Sequence, residues 1–178
     1  RRQRQMCIRD RDSSALLHFC YELNQGKLLY GNLSALHINH SLHQDSDQWE
    51  EHCKIFCEER NIPFQSHGVN INVKKSGLES AARNARYKIF QDTLQSHDQL
   101  LMAHHADDVA ETILFRLFRG TGLDGLQGPQ KKRALGEGVI LRPWLDYTKS
   151  DLVQYLSINN INFISDIIRF RRHRMKIK

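Results

Sequence analysis

The 178-residue sequence lacks the features that would assign it to a membrane, secreted or zinc-binding class. It contains no run of roughly 18 or more uninterrupted apolar residues, and its Arg-rich beginning lacks the apolar stretch of a signal peptide. None of the four cysteines forms a Cys-x-x-Cys pair, so neither a zinc ribbon nor a thioredoxin-like motif is indicated. These absences predict a cytosolic protein with reduced thiols.

Charge and size narrow the class of protein only a little. The sequence has 26 Lys and Arg against 20 Asp and Glu, a net charge of +6 and a pI near 9.3, which favours an anionic partner such as nucleic acid. The preference is weak, because the basic residues concentrate at the two ends of the chain. With 40% hydrophobic residues, the length fits one globular domain of ~100–200 residues.

Helical periodicity alternates with short apolar runs along the chain, which predicts an α/β domain with a mostly parallel, Rossmann-like twisted sheet flanked by helices. The stretch 120–138 holds most of the glycines and the basic run Lys131-Lys132-Arg133, and it is predicted to be an exposed loop. The predicted helices are 13–23, 45–60, 78–96, 107–119 and 148–159, and the predicted strands are 33–38, 64–71, 99–103 and 139–145.

The chain divides into three predicted parts. Residues 12–160 are predicted to form the domain. Residues 1–11 are expected to be an anomalous segment, because Met-Cys-Ile-Arg-Asp-Arg at positions 6–11 is what a common transposon sequencing adapter encodes in frame. Residues 161–178 form a basic C-terminal segment.

The stretch His104 to Thr112, HHADDVAET, lies where a predicted buried strand meets a predicted helix. In α/β proteins ligands bind at that junction. Asp108 and Glu111 lie one helical turn apart, and two carboxylates at that spacing can share Mg²⁺, which prefers oxygen ligands. The competing interpretation is that acidic residues in a first turn only complement the helix dipole. The same helix is predicted to bury a stripe formed by Val109, Ala110, Ile113, Leu114, Leu117 and Phe118.

Three further groups of residues could carry chemistry. Arg83 and Tyr87 share one helix face, where Arg83 either binds phosphate or belongs to an ordinary charged surface. The segment from His37 to His43 begins at the end of a predicted strand, and its polar side chains could line a cleft or cap a turn. The helix start at Asp12-Ser13-Ser14 would attract a phosphate, although the glycines of a phosphate loop are replaced just upstream by Ile8, Arg9 and Asp10.

Taken in order, these segments resemble the tRNA(Ile)-lysidine synthetase family of PP-loop ATP pyrophosphatases over roughly residues 12–156. HHADDVAET followed by RLFRGTGLDGLQG is the most specific stretch, with ESAARNARY upstream and LRPWLDYTKSDL downstream. Asp12 and Ser13 match the last two positions of the family's Ser-Gly-Gly-x-Asp-Ser loop, whereas Ile8, Arg9 and Asp10 do not match. The family's additional C-terminal domains are absent, so the chain is interpreted as an N-terminal catalytic domain fragment.

The resemblance implies a two-step reaction on the wobble cytidine of tRNA(Ile) with a CAU anticodon. The cytosine C2 oxygen attacks the α-phosphate of ATP and releases pyrophosphate. The ε-amine of L-lysine then attacks C2 and expels AMP, which yields lysidine. ATP and Mg²⁺ are the implied cofactors, and a homodimer is compatible with the family.

The resemblance also implies roles for individual residues. Asp108 and Glu111 would hold Mg²⁺ or meet the lysine ammonium. The other implied catalytic residues are His105 and Arg83; the implied ATP-binding residues are Asp12, Ser13, Ser14, His37 and His104; the implied RNA-binding residues are Lys131, Lys132 and Arg133.

Two other functions stay open from the sequence. A PP-loop tRNA thiolase would use the same ATP step but normally needs a cysteine pattern that this chain lacks. A chain without phosphate-loop glycines could also act only as a nucleic-acid-binding fragment without catalysis.

Overall fold

The computed structural model of the protein describes residues 3–8, 10–29, 31–40, 44–69, 78–122 and 126–162. Strands and helices alternate over most of this length. The elements are β1 (Gln3–Cys7), α1 (Arg11–Gln25), β2 (Asn32–Asn39), α2 (Ser46–Glu58), β3 (Phe64–Gly68), α3 (Leu78–Thr93), β4 (Gln99–Leu101), α4 (Ala106–Phe118), β5 (Lys132–Leu135), β6 (Gly138–Leu141) and α5 (Lys149–Ile158).

The six strands form one sheet in the order β3-β2-β1-β4-β6-β5. All neighbouring pairs are parallel except β5 and β6, which pair antiparallel at one edge. The helices cover the sheet, as parallel strands joined by helical crossovers require. This architecture confirms the predicted α/β fold class with a mostly parallel sheet.

Apolar side chains pack on both faces of the sheet. On one face, Leu16 of α1, Phe56 of α2 and Leu156 of α5 belong to one buried cluster. On the other face, Phe90 of α3 and Leu94, which directly follows α3, pack in a second cluster with residues of β2, β4 and β6. Since β2 contributes residues to both clusters, its side chains alternate between the two faces.

The predicted buried stripe on α4 is wrong. No residue of α4 is buried, and Leu114, Leu117 and Phe118 are exposed. The inner side of the helix faces the loop at Gly128, where an added Cβ would lie 2.9 Å from Val109 Cγ1. Because this loop covers only part of the helix, the rest of the apolar surface faces solvent in the described structure.

The predicted loop at 120–138 contains a strand that the sequence analysis missed. Lys132 and Arg133 lie in β5, which forms a hairpin with β6. The two residues between the strands include Gly136 with φ +55°, a backbone conformation that glycine adopts without strain. The basic run therefore extends along an edge strand and does not lie in an irregular loop.

The strand boundaries depart from the predictions at two further places. Residues before Asp12 were not predicted to form a strand, yet β1 lies in the middle of the sheet between β2 and β4. The strand predicted at 139–145 ends at Leu141, two residues before Pro143, which has no N–H group for a sheet. Part of the strand predicted at 64–71, together with residues 163–178, lies outside the described residues.

Within the described part of the chain, no helix combines the length and the apolar character that a bilayer-spanning segment requires.

Candidate active site

The topology of the sheet creates a crevice at the carboxyl ends of β1 and β4. These strands are parallel neighbours, but the next strand after β1 lies on the opposite side of it from β4. Ligands bind at such switch points in open α/β sheets. Because α1 follows β1 and α4 follows β4, two helix N-termini meet there.

A cavity of about 200 Å³ lies at this crevice and is called here the first cavity. It combines the start of α1, the start of α4 and one arginine of α3. The cavity holds three carboxylates and one guanidinium, which makes it a polar site. Its lining residues are Cys7, Asp10, Asp12, Ser13, Arg86, Met102, Ala103, His104 and Asp108.

The start of α1 is capped by Asp10. Its Oδ1 accepts hydrogen bonds from Ser13 N at 3.1 Å and from Ser13 Oγ at 2.9 Å, while Asp10 N donates to Ser13 Oγ at 2.9 Å. Free N–H groups at a helix start are the usual ligands of a phosphate. In this chain one of those groups is already engaged by a carboxylate, which adds negative charge to the first cavity.

The start of α4 is linked to the start of α1 through His105. Asp108 Oδ2 accepts a hydrogen bond from His105 N at 3.0 Å. The buried His105 ring places Nε2 3.5 Å from Asp12 Oδ2 and 3.7 Å from Asp108 Oδ2. When protonated, this imidazole would bridge the two carboxylates across the crevice.

His104 is held as a neutral imidazole. Arg142 Nε donates to His104 Nδ1 at 3.2 Å. Burial, followed by the charges of Arg142, Arg86 and Arg83, lowers the pKa of His104 to about 4, and Asp10 opposes the shift. Near neutral pH the ring therefore has a bare Nδ1 and carries its proton on Nε2.

A second cavity of about 640 Å³ adjoins the first. His104 and Asp108 line both, so they form a common wall. The second cavity is distinguished by its arginines. Its lining residues are Arg83, His104, Asp108, Thr112, Arg116, Gln127, Gly128, Pro129, Gln130, Arg133 and Arg142.

Six of the residues singled out from the sequence lie at these two cavities or between them. Asp12 and Ser13 line the first cavity, Arg83 and Arg133 line the second, and His104 and Asp108 line both.

Ser14 and His37 line neither cavity. Ser14 is buried, and its Oγ donates to the Asp10 carbonyl at 2.9 Å. His37 is 2% exposed and places Nδ1 2.8 Å from the Ile8 carbonyl oxygen. These contacts tie the two residues to the backbone around the end of β1, and their assignment to ATP stays a prediction.

The remaining candidates lie further out. Glu111 is exposed on α4 and lines neither cavity. Lys131 forms an ion pair with Asp146 on the surface, and Lys132 is exposed on β5. The assignments of Glu111 to Mg²⁺ and of the two lysines to RNA stay predictions.

Whether the site can hold Mg²⁺ depends on how many of the ion's oxygen ligands come from the nucleotide. The described residues contain no group of three or more His, Cys, Asp or Glu side chains that could hold a metal by itself. Mg²⁺ at phosphate sites usually needs only one or two carboxylates besides waters and phosphate oxygens. Asp12 and Asp108, which line the first cavity from two helices, suit that mode of binding.

Three arginines of the site, Arg86, Arg116 and Arg142, were not singled out from the sequence. Arg86 lines the first cavity, one helical turn after Arg83 on α3. Arg142 follows the carboxyl end of β6, next to β4 in the sheet. Arg142 lies within LRPWLDYTKSDL directly after β6, but the strand was predicted to continue to 145, which placed Arg142 inside the strand and not at its carboxyl end.

The described thiols do not suit sulfur chemistry. Burial raises the pKa of Cys20 to about 12 and that of Cys57 to about 12, and it also raises the pKa of Cys53. A thiol reacts or binds metal as the thiolate, which such burial disfavours. Cys7 is the one cysteine among the described lining residues of the two cavities.

Most of the chain is similar to known proteins. The sequence model of the PP-loop domain matches residues 10–175. The tRNA(Ile)-lysidine synthase of Photorhabdus laumondii is 39% identical over 155 residues, which is 87% of this chain and 35% of that protein. The tRNA(Ile)-lysidine synthase of Pseudomonas fluorescens is 42% identical over 87% of this chain and 35% of that protein. The tRNA(Ile)-lysidine synthase of Coxiella burnetii is 40% identical over 93% of this chain and 37% of that protein.

The chain thus spans about a third of the length of the curated relatives it matches. Among solved structures, the U34-tRNA thiolase NcsA from Methanococcus maripaludis, with its [4Fe-4S] cluster, superposes with a TM-score of 0.71 over 92% of this chain and 58% of that chain. At 15% identity this likeness concerns the fold alone.

Proposed function

Because the chain belongs to the PP-loop domain family, we propose that it is the ATP-using part of an enzyme that ligates lysine to C2 of the wobble cytidine in tRNA(Ile) with a CAU anticodon. The observation that carries this proposal is the common wall of the two cavities. His104 and Asp108 face a phosphate-sized cavity at two helix starts on one side and a larger, arginine-lined cavity on the other.

The first cavity is proposed to receive the phosphates of ATP. Ser13 at the start of α1 and Arg86 of α3 supply donors of the type that phosphate oxygens accept. His104 adds a neutral donor through Nε2. A neutral donor stabilises the charge that develops on a phosphate oxygen without giving up its proton.

Carboxylates at the wall are proposed to serve the second step. Asp108 faces both cavities, so a lysine ammonium beside it would be held between the adenylated base and the helix start. Mg²⁺ bound to ATP would neutralise charge on the departing pyrophosphate, and Asp12 and Asp108 would hold the ion.

The test is formation of lysidine. The chain is incubated with tRNA(Ile) carrying a CAU anticodon, Mg-ATP and isotopically labelled lysine, and the digested nucleosides are analysed by mass spectrometry. Asp108→Asn keeps an acceptor for His105 N but removes the charge, so we expect an intact fold and at least about 100-fold less labelled nucleoside. Asp92→Asn, an exposed change on α3, is the matched control.

Full activity of Asp108→Asn would contradict the role given to that carboxylate. Salt-sensitive tRNA binding without ATP binding would instead favour a nucleic-acid-binding module. The thiolase alternative receives no support from the described cysteines, three of which are buried with raised pKa values.

A further inference from the structure

One wall of the second cavity is formed by residues 127–131, called here the strap. Gln127, Gly128, Pro129 and Gln130 line the cavity, and Lys131 leads into β5. Residues 127–130 belong to no helix or strand. The position of the strap is therefore set by the contacts that neighbouring elements make with its backbone.

On the side of α4, the strap is held at two places. Arg116 Nη1 donates a hydrogen bond to the Gln127 carbonyl. Gly128 lies so close to the helix that an added Cβ would be 2.9 Å from Val109 Cγ1. The χ1 angle of a valine in a helix is restricted, so Val109 cannot easily turn away. A side chain at position 128 would therefore push the strap away from α4.

On the side of β6, the strap is held by Arg142. Arg142 N donates to the Lys131 carbonyl at 2.8 Å, and Arg142 Nη1 donates to the Gln130 carbonyl at 2.7 Å. The same guanidinium donates through Nε to His104 Nδ1 at 3.2 Å. Since the guanidinium is planar and Arg142 is 4% exposed, the group has little room to shift one contact without the other.

We propose that Arg142 is a positioning residue that couples the strap to His104, so that the place of the strap decides whether His104 offers a hydrogen-bond donor at Nε2. A shift of the Gln130 carbonyl turns the guanidinium with it. Hydrogen bonds weaken steeply with misalignment, so Nε then releases His104 Nδ1. The neutral ring is then free to carry its proton on either nitrogen.

This coupling links the two cavities. Strap residues line the second cavity, whereas His104 lines both. A ligand that displaces the strap in the second cavity thus changes the donor that His104 presents in the first. The consequence for catalysis rests on the proposed function, in which Nε2 donates to a phosphate oxygen. With the strap displaced, a bare Nε2 would face that oxygen in part of the molecules and oppose the developing negative charge.

The experiment compares two glycine variants by long-range ¹H–¹⁵N spectra of the histidine rings. Gly128→Ala displaces the strap, whereas Gly122→Ala is the matched control, because its added Cβ has no atom of the described residues within 4 Å. Loss of a charge-assisted hydrogen bond should lower the ratio of the Nε2–H to the Nδ1–H tautomer of His104 about tenfold in Gly128→Ala. Gly122→Ala should leave this ratio unchanged.

Further variants show whether the effect passes through the proposed contacts. Val109→Ala removes the Cγ1 atom that meets the added Cβ, so its combination with Gly128→Ala should restore the parent ratio. In an Arg142→Met background, Gly128→Ala should cause no further change, because the link to His104 is already gone. Arg116→Gln frees the Gln127 carbonyl without adding bulk and should change the ratio in the same direction as Gly128→Ala.

Circular dichroism checks the fold of each variant, and Arg116→Gln carries the test alone if Gly128→Ala does not fold. Unchanged His104 spectra in the folded strap variants would overturn the coupling. A change of the same size in the Arg142→Met background would also overturn it, since the strap would then act on His104 by another route.

The assay for labelled lysidine separates the coupling from the proposed function. In Gly128→Ala we expect a kcat about tenfold lower and a KM for ATP within about twofold of the parent chain, because His104 acts on charge that develops during the reaction. Changed spectra in a chain that makes no lysidine would support the coupling and overturn the proposed function. Lysidine formation by a parent chain whose strap variants show unchanged spectra would support the function and overturn the coupling.

Discussion

Arg142 Nε donates a hydrogen bond to His104 Nδ1 across 3.2 Å, and this contact decides which ring nitrogen of His104 carries the proton. An arginine side chain can only donate, so Nδ1 must be unprotonated where it accepts. The proton of the neutral ring then lies on Nε2. His104 lines both cavities, and the contact therefore presents a fixed neutral donor to the proposed reaction centre.

The tautomer of His104 is directly measurable. In long-range ¹H–¹⁵N spectra we expect His104 to be the neutral Nε2–H form at pH 6 and to protonate with a pKa of about 4. Arg142→Met should raise this pKa and mix the two neutral tautomers, although burial, the largest cause of the shift, should keep the pKa below 6.5.

The control for that measurement is Arg119→Gln. Arg119 is exposed, stacks on Phe115 and lines neither cavity, so its loss should leave the His104 signals unchanged. A parent chain in which His104 titrates near 6.5 would contradict the arrangement.

The same pKa shift predicts a pH dependence of stability. The unfolded chain binds a proton at His104 near pH 6.5 and the folded chain near pH 4, so the unfolded state holds more protons in between. Stability is therefore lost as pH falls through this window. Between pH 7 and 5 the loss due to His104 should be about 2 kcal/mol.

Urea denaturation at the two pH values checks this number. His104→Asn keeps an acceptor for Arg142 but does not titrate, so the variant should lose about 2 kcal/mol less than the parent chain over the same interval. The charged groups that act on His104, namely Asp10, Arg83, Arg86 and Arg142, are unchanged in the variant. Equal losses in both proteins would show that His104 does not titrate in this window.

Asp10 is expected to weaken ATP binding. Its carboxylate lines the first cavity and engages Ser13 N, a donor that a phosphate would otherwise meet. Asp10→Asn removes the charge and keeps a good helix cap, and Asp10→Gly also frees the donor at a cost of only a few tenths of a kcal/mol. We expect calorimetry to show about tenfold tighter Mg-ATP binding for Asp10→Asn and a further gain for Asp10→Gly.

Replacing Ile8, Arg9 and Asp10 together by the Ser-Gly-Gly of the family's loop would be a weaker test of phosphate binding in the first cavity. Ile8 is completely buried in the core cluster that contains Leu16, so Ile8→Ser would destabilise the domain as well as alter the loop. Asp92→Asn controls for loss of an exposed carboxylate. Unchanged affinity in both Asp10 variants would show that the first cavity does not hold the phosphates.

Asp98 is expected to stabilise the start of the sheet. It is 4% exposed, and its two oxygens accept from Gln3 N at 3.1 Å and Gln95 N at 3.0 Å. Asp98→Ala would leave two backbone donors without this acceptor and should lower the free energy of unfolding by about 1–3 kcal/mol. Urea titration against Asp92→Ala measures the difference, and a loss equal to that of the control would contradict the role.

The sequence alone predicted the elements whose signal is local. α1 and α5 have capping residues and apolar spacing within a few positions, and Thr148 and Asp151 form a capping box at the start of α5. His104 and Asp108 were found because their strand–helix junction can be identified from a continuous stretch. The features that were not predicted depend on residues distant in sequence. β1 is a mostly polar pentapeptide whose neighbours in the sheet are β2 and β4. The burial of Arg142 depends on its packing against Gln130 and His104.

The apolar face of α4 was predicted to be buried and is instead exposed, which leads to a last prediction. Leu114, Phe115, Leu117 and Phe118 are 51–74% exposed, and contiguous apolar surface of this kind binds hydrophobic dyes and promotes association. The double change Leu114→Ser with Phe118→Ser should reduce fluorescence of the dye ANS and alter stability by only about 0.5 kcal/mol, because these side chains bury little area. Ile158→Ser, an equally exposed position on α5, should leave the fluorescence unchanged. If the double variant unfolded at a much lower urea concentration, the side chains of α4 would have to be packed in solution, as the helical periodicity first indicated.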